Sequence, residues 1–436
     1  MTAPTSLAPR KHPTPLRRLG WLLPLAAALT ACTTLRPPAQ VTPATPTSWQ
    51  APLPHEGQLQ QLTNWWARTN DPVLVALIES AQRISPSLAQ ARSRVEQARA
   101  TQTTARAALL PTLDAQASAS RGVTPPVTTP ATTAQAGLQA GWEIDLFGAN
   151  QATRDAATER LAGAQALWHE ARVSVAAEVA LQVSSLRTCL QQLDVAERDA
   201  QSRAATARLT QDSQRAGFTA PATAALASAS AAEGTARAAQ QRMQCDVDFK
   251  TLVALTGEPE PALRNQITTA PVPGFDEARF TIAALPVQVL SQRPDVYNAE
   301  REVAAASAEV GSAQAQRWPR LSLTGTVGTA WSRAAGTTTD LTTWSFGPLA
   351  LSLPLLDGGR RTGQVDAARA RYDEAVAVYQ GRVRQAVSEV EQALVRLQST
   401  AERADSARAA VQGYRTSFDA TEARWRGGLA SLVELE

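Results

Sequence analysis

The sequence has few of the residues that enzymes use at metal and nucleophilic sites. It contains three histidines and three cysteines in 436 residues, and only 5% of its residues are aromatic. Only His55 and His169 lie beyond the first 31 residues, which leaves too few for a histidine-based metal site. We find no glycine-rich phosphate loop, no metal-ligand spacing and no nucleophile with a suitable base. The sequence therefore predicts a protein that is not an enzyme and has no cofactor or metal.

The chain beyond residue 31 also lacks a net positive charge. The formal net charge is +3, but Arg10, Lys11, Arg17 and Arg18 all lie in the first 31 residues, and without them it is −1. A nucleic-acid partner is therefore not expected. The hydrophobic share of 44% is largely alanine, which favours long, closely packed helices over the bulky core of a globular enzyme.

The first 32 residues read as a targeting segment. Positive charges at 10–18 precede an apolar stretch at 19–29, which would span only about 16 Å as a helix, so a transmembrane anchor is the poorer alternative. Leu29-Thr30-Ala31-Cys32 resembles a bacterial lipobox, which implies a signal peptide at 1–31 and a lipid on Cys32. Thr33 implies sorting to the outer membrane. Residues 32–60, rich in Pro, Thr and Ala, are predicted to form a lipid-anchored tether.

The remaining chain alternates helices and strand pairs. A helix is predicted at 71–110, then strands at 113–119 and 134–146 around a loop at 122–130. A long, charged, proline-free helix follows at 150–216, Gly217 ends it, and a helix at 221–255 returns.

The same order occurs again in the second half. We predict a helix at 286–318, strands at 321–331 and 349–355, and a long helix at 357–425 ended by Gly427 and Gly428. Pro319 follows Pro111 by 208 residues, and Gly428 follows Gly217 by 211. These offsets indicate a duplicated unit, with repeats at 61–270 and 271–436.

Four strands cannot close a membrane barrel, because the smallest such barrels need about eight and an open edge in lipid is forbidden. Several copies would therefore share one barrel. Trp142, Trp318, Trp331 and Trp344 lie in or beside the strands, where aromatic residues mark membrane interfaces. The alternative is that they are core tryptophans of a soluble sheet.

Two cysteines lie at matching positions in the first helical hairpin. Cys189 and Cys245 are each 28 residues from Gly217, so they reach the same height in an antiparallel pair. In an oxidising periplasm this predicts a disulfide, with buried free thiols as the alternative.

Several motifs together resemble those of the TolC-like outer membrane factors, in the lipoprotein branch that serves multidrug efflux pumps of the RND type. The most specific runs from Leu290 through Arg293-Pro294-Asp295 to Gly311 and Trp318-Pro319. The supporting motifs are Trp65-Trp66 with Asp71-Pro72, Trp142-Glu143-Ile144-Asp145-Leu146-Phe147-Gly148, Leu255-Thr256-Gly257, and Pro354-Leu355-Leu356-Asp357-Gly358-Gly359-Arg360.

This resemblance implies a mainly α fold with a membrane β-barrel. In such a homotrimer each chain gives four strands to a twelve-stranded barrel and its long helices to a periplasmic α-helical tunnel. The implied function is the outer membrane channel of a tripartite efflux pump, a passive duct whose partners are a periplasmic adaptor, an inner-membrane RND-type pump and outer membrane lipid. By the same comparison the second repeat, 271–436, is C-terminally incomplete, because members continue with a closing helix.

Two kinds of functional residue follow from a tunnel of helical hairpins. The turns are expected to be docking tips for the adaptor, at Arg215, Gly217 and Phe218 and at Arg426, Gly428 and Leu429. The resemblance also places Glu434 at the position of an acidic pore-gate residue, with a solvated surface glutamate as the alternative.

Other functions remain open at this point. A periplasmic adaptor of an export system would need a lipoyl-like domain between two helices, and none separates residues 216 and 221. A structural trimeric envelope protein, such as a coiled-coil adhesin, would show sustained heptads without strand hairpins.

Overall fold

The computed structural model describes residues 36–43, 66, 70–123, 129–271, 290 and 293–435. Cys32 and most of the predicted tether lie outside the described residues. The chain divides into two compact units. The sheet unit comprises Met1–Val41, Ala100–Arg160 and Glu302–Val376, and the helical unit comprises Thr42–Arg99, Leu161–Arg301 and Ala377–Glu436.

The described elements alternate helices and strand pairs in the predicted order. They are α1 (Pro72–Ile84), α2 (Pro86–Ala107), β1 (Thr112–Gly122), β2 (Ala131–Ile144), α3 (Ala149–Arg215), α4 (Pro221–Thr256), α5 (Glu260–Thr269), α6 (Pro294–Ala315), β3 (Arg320–Ala334), β4 (Thr337–Ser352), α7 (Arg360–Arg426) and α8 (Leu432–Leu435). The long helices α3 and α7 have 67 residues each, as a duplicated unit requires.

The structure differs from the predicted elements at several points. The helix predicted at 71–110 is two helices, because Ser85 leaves the helical conformation and Pro86 begins α2. The strand predicted at 349–355 runs from 337 to 352 instead, since its threonine-rich first half carries no alternating apolar pattern. The short helix α5 has no counterpart among the predicted elements.

The bulky part of the core lies in the helical unit, where α1, α3, α4 and α5 meet. Its fully buried side chains include Leu77, Ile78, Val179, Phe249 and Leu252. Large apolar residues recur here on one face of each helix, whereas much of the rest of α3 and α4 carries alanine. This cluster is therefore expected to supply most of the hydrophobic stabilisation of the hairpin.

A buried ion pair joins α1 to α3 beside this core. Asp71 caps α1 by accepting a hydrogen bond from the Leu74 N–H at 3.0 Å, and its other oxygen lies 2.5 Å from Nη1 of Arg187. Burial alone would raise the pKa of Asp71, but the hydrogen bonds from Arg187 and Leu74 outweigh it and hold the pKa below its ordinary value. The motif Asp71-Pro72 is thus a helix start anchored to the long helix.

Cys189 and Cys245 meet across α3 and α4. The structure joins Cys189 to Cys245, with Cα atoms 5.6 Å apart. The helices also approach closely at Gly234, where an added Cβ would lie 3.3 Å from the Cα of Ala200. A close pair of helices is what brings cysteines at equal height within bonding distance.

We expect Arg187→Met to lower the free energy of unfolding by about 3–5 kcal/mol, because it leaves a carboxylate buried without its partner. The folded-state pKa of Asp71 is lowered, so its contribution is present above the unfolded pKa near 3.9 and is lost as the pH falls through the folded value. Urea unfolding in detergent at several pH values measures both effects. The control is Arg198→Met, which removes an exposed pair with Asp194 on the same helix. Equal losses in the two variants would contradict the prediction.

We expect the Cys189–Cys245 bond to stabilise the α3–α4 hairpin by about 4 kcal/mol, because it closes a loop with a sequence separation of 56. Thiol labelling of denatured, unreduced protein should find neither cysteine reactive. A Cys189→Ser, Cys245→Ser double variant should unfold at lower urea concentration than the wild type and should lose the effect of added reductant. Two reactive thiols in the wild type would exclude the bond.

Candidate functional sites: the sheet, the helical tips and the anchor segment

The sheet has four antiparallel strands in the order β1-β2-β3-β4. Its register places one set of side chains on an apolar face, since directly paired residues of neighbouring strands point the same way. The large members of this face are Leu113, Leu138, Trp142, Leu321, Leu323, Val327, Trp331, Trp344, Phe346, Leu349 and Leu351. Several of them, including Val327, Trp344 and Phe346, are exposed in the single chain. The sheet therefore presents a broad apolar surface.

The opposite face is polar and carries mostly small side chains. Hydrogen bonds cross it between Thr326 and Ser345 at 2.7 Å and between Gln116 and Gln139. At its centre Gly137 and Gly328 are directly paired. A Cβ on Gly137 would lie only 2.8 Å from the Val327 carbonyl oxygen, so the close approach requires glycine. The face is hydrophilic, and its central glycine pair adds no side chain.

Two motifs from different repeats meet at the helix end of the sheet. The rings of Phe147 and Trp318 stack with centroids 5.7 Å apart, and the indole N–H of Trp142 donates to the Leu109 carbonyl at 3.1 Å. Asp145 accepts a hydrogen bond from the backbone N–H of Gln151 at the start of α3. These motif residues therefore fix how strands pass into helices and have a structural role.

The two predicted tips have the same backbone geometry. Gly217 and Gly428 both take positive φ, at 83° and 69°, and each ends a long helix. The following N–H donates to the carbonyl five residues earlier, from Phe218 to Ser213 at 2.9 Å and from Leu429 to Arg424 at 2.8 Å. Both helices thus end in the same glycine-dependent turn.

The side chains at these turns project into solvent. Phe218 is 86% exposed and Leu429 is 75% exposed. Arg215 forms an ion pair with Asp212, and Arg426 forms one with Glu422 at 2.7 Å, so each arginine is held on its own helix. Each tip therefore offers an exposed apolar residue beside a fixed cation.

Glu434, the predicted gate residue, lies in a helix-capping arrangement. Its backbone N–H donates to Ser431 Oγ at 3.2 Å, and the same hydroxyl donates to its carboxylate at 3.3 Å. Its second carboxylate oxygen lies 3.9 Å from a guanidinium nitrogen of Arg424. These contacts give Glu434 a role in capping the short helix α8. The pore-gate role stays a prediction.

Segment 36–38, just after the predicted lipidation site, packs against other parts of the sheet unit, and the sequence analysis does not predict these contacts. Ser307 Oγ donates to the Pro37 carbonyl at 2.5 Å, and Tyr372 Oη donates to the Pro38 carbonyl at 2.8 Å. Arg36 lies 3.5 Å from Asp155, and a Cβ on Gly311 would lie 2.7 Å from Arg36 Nε. Gly311 belongs to the family motif that runs from Leu290 to Pro319. Its lack of a side chain is the one sequence signal for this contact.

The motif Arg293-Pro294-Asp295 is a helix start. Pro294 is the first residue of α6, and Arg293 bonds both Asp295 at 2.8 Å and Glu389 at 2.7 Å. Burial tends to raise the pKa of Asp295, but the hydrogen bonds and charge of Arg293 lower it below its ordinary value. The motif therefore ties α6 to α7.

Within the described ranges, no group of three or more His, Cys, Asp or Glu side chains could hold a metal ion.

None of the described helices has an apolar stretch long enough to cross a bilayer.

Comparison with known proteins gives a consistent result. The chain matches the outer membrane efflux protein family over residues 77–258 and 285–436. It is 30% identical over 418 residues to the outer membrane protein OprJ of Pseudomonas aeruginosa, covering 93% of this chain and 86% of that protein. It is 28% identical over 428 residues to the pyoverdine export outer membrane protein OpmQ of the same species, covering 94% and 88%.

A solved structure shares the fold. The outer membrane protein VceC of Vibrio cholerae superposes with a TM-score of 0.71 at 27% identity, covering 86% of this chain and 90% of that one. The comparisons confirm the TolC-like fold, the outer membrane location and the efflux function expected from the sequence. The chain belongs to the outer membrane efflux protein family.

Proposed function

We propose that three copies of this chain form the outer membrane duct of a tripartite efflux pump. The observation that supports it best is the four-stranded sheet, which has one apolar face, one polar face and two edge strands. Three such sheets joined edge to edge would give a twelve-stranded barrel, in which every backbone N–H and C=O finds a partner within the lipid. The apolar face would contact lipid and the polar face would line the path.

The duct is passive in this proposal. Small polar side chains and the Gly137–Gly328 pair leave the path wide and weakly binding, which suits a conduit for varied small molecules. Selection and energy would come from an inner-membrane RND-type pump and its periplasmic adaptor.

The adaptor would meet the two tips. Phe218 and Leu429 offer apolar contacts at equivalent positions of the duplicated unit, and Arg215 and Arg426 flank them with positive charge. What distinguishes these two from the other exposed apolar residues is that the same glycine-dependent turn projects each of them from the end of a long helix.

A lipid on Cys32 would add a second attachment to the membrane. Arg36 is four residues from Cys32. The contacts of segment 36–38 with Ser307, Gly311 and Tyr372 would hold the start of the tether against the sheet unit. With this anchor, the proposed division is a signal peptide at 1–31, a tether at 32–60, and efflux repeats at 61–270 and 271–436.

We also propose that Glu434 lines a gate. Three copies of Glu434 around a narrow axis would attract cations, although the contacts with Ser431 and Arg424 equally suit a capping residue.

We expect Arg215→Glu with Arg426→Glu to abolish adaptor binding and drug resistance at equal protein levels, because the tips would then repel the partner that their cations attract. Resistance is measured in an efflux-deficient strain carrying the cognate adaptor and pump, and adaptor binding is measured with purified proteins. The matched control is Arg198→Glu, which has similar exposure and also pairs with an acid on its own helix.

Electron microscopy of the same preparations should show long, hollow trimers for all variants. A compact monomer in the wild type would defeat the channel itself. Intact trimers with unchanged adaptor binding would defeat only the tip assignment.

We expect the mature protein to begin at Cys32 and to carry the mass of attached acyl chains, because the small residues before this cysteine suit lipoprotein processing. Intact-mass measurement of wild type and Cys32→Ala decides it, with Cys189→Ser as a control that should keep the added mass. A Cys32→Ala protein that is still cleaved after Ala31 and has the same added mass would refute the prediction.

A further inference from the structure

Two arginines occupy the same height and face of the sheet. Arg121 on β1 pairs with Thr132 on β2, and Thr132 pairs with Arg333 on β3. Directly paired residues point to the same face, and neighbouring strands lie about 4.8 Å apart. The two arginine Cα atoms are therefore about 10 Å apart, with Thr132 between them.

The face they share is the apolar one. Arg333 lies two residues beyond Trp331, and Trp331 pairs with Ala134 on that face. From Leu321 to Trp331 the strand rises about 33 Å, which at a tilt of about 40° covers about 25 Å, the height of the apolar band in outer membrane barrels. Arg121 and Arg333 thus stand where this band ends, at the hairpin end of the sheet rather than the helix end.

Both guanidinium groups are available. Arg121 and Arg333 are exposed, and neither forms an ion pair with another residue of the described chain. Thr132 and Thr338 lie at the same height on this face and add two hydroxyl groups. The nearest acidic residue on this face is Asp340. It pairs with Trp331, two residues from Arg333 toward the helix end of the sheet.

We propose that Arg121 and Arg333 form a binding site for the anionic, phosphate-bearing headgroup of a membrane lipid at the outer rim of the sheet. The proposal rests on the proposed function, because that function places the apolar face in lipid and the hairpins outside. A guanidinium presents a planar fork of donors that matches phosphate oxygens, and two forks with a hydroxyl between them can hold one or two such groups. The acyl chains would lie on the apolar band beneath, beside Trp331. In a trimer the site would recur three times.

The experiment counts lipids that remain bound to purified mature trimers in mild detergent, by native mass spectrometry after titration with phosphatidylglycerol or with zwitterionic phosphatidylcholine. Wild type should retain phosphatidylglycerol in preference to phosphatidylcholine. Arg121→Gln with Arg333→Gln should weaken phosphatidylglycerol binding about tenfold, since charge-assisted hydrogen bonds are lost. Arg121→Lys with Arg333→Lys should keep much of the preference because the charge remains.

The matched control is Arg320→Gln. Arg320 is also exposed and lies on β3, but at the helix end and on the polar face, so its loss should leave lipid retention unchanged. Equal retention of phosphatidylglycerol by wild type and the double glutamine variant would overturn the proposal. If the wild type retained phosphatidylcholine as well as phosphatidylglycerol, the contact would be nonspecific and apolar, and the proposal would be overturned. Displacement of the lipid by millimolar inorganic phosphate would also overturn it. Intact trimers with unchanged lipid binding defeat this inference alone, whereas a wild type that forms no trimer defeats the proposed function with it.

Discussion

An antiparallel sheet of four strands has two edges, and the unpaired backbone groups on those edges are the constraint on which the rest of this protein depends. In the described chain β1 and β4 occupy the edges and pair with one neighbour each. Each unpaired N–H or C=O costs several kcal/mol in hydrocarbon, so a sheet of this kind enters lipid only when other copies complete it. The apolar face and the edges therefore impose two demands that assembly in a membrane meets together: the face requires lipid, and the edges require partner chains.

The helices meet a different constraint, because a helix of 67 residues rich in alanine buries little area per residue. The chain concentrates bulky side chains where α1, α4 and α5 surround α3, and adds the Asp71–Arg187 pair and the Cys189–Cys245 link beside them. Farther toward the tip, the pairs between Asp194 and Arg198 and between Asp199 and Arg203 support α3 locally. The bulky core is thus concentrated at one level of the hairpin, and nearer the tip α3 and α4 are joined by buried alanines and by polar contacts such as those of Arg203 with Ser230 and Gln211 with Ser228.

Much of this could be predicted from the sequence because it depends on local patterns that occur twice. The long helices follow from the absence of proline, the hairpin ends from glycine, and the equal height of the cysteines from their spacing. The strand β4 was partly missed, since Thr337 to Thr343 place polar residues on both faces and leave no period of two. The contacts of segment 36–38 were missed for another reason. Pro38 and Tyr372 are 334 residues apart, and a contact at that separation has no periodic signature.

The proposed docking surfaces of the chain are its two helical tips. Their glycines and backbone hydrogen bonds are the same, but the exposed residue is phenylalanine at one and leucine at the other. Because the turn fixes where this residue projects, the backbone would set the geometry of the proposed adaptor contact and the side chain would set its size. The flanking arginines are already paired with Asp212 and Glu422, so they contribute charge at a fixed position rather than a free cation. A duplicated unit can therefore present two related but unequal surfaces per chain, and three chains would alternate them around one ring.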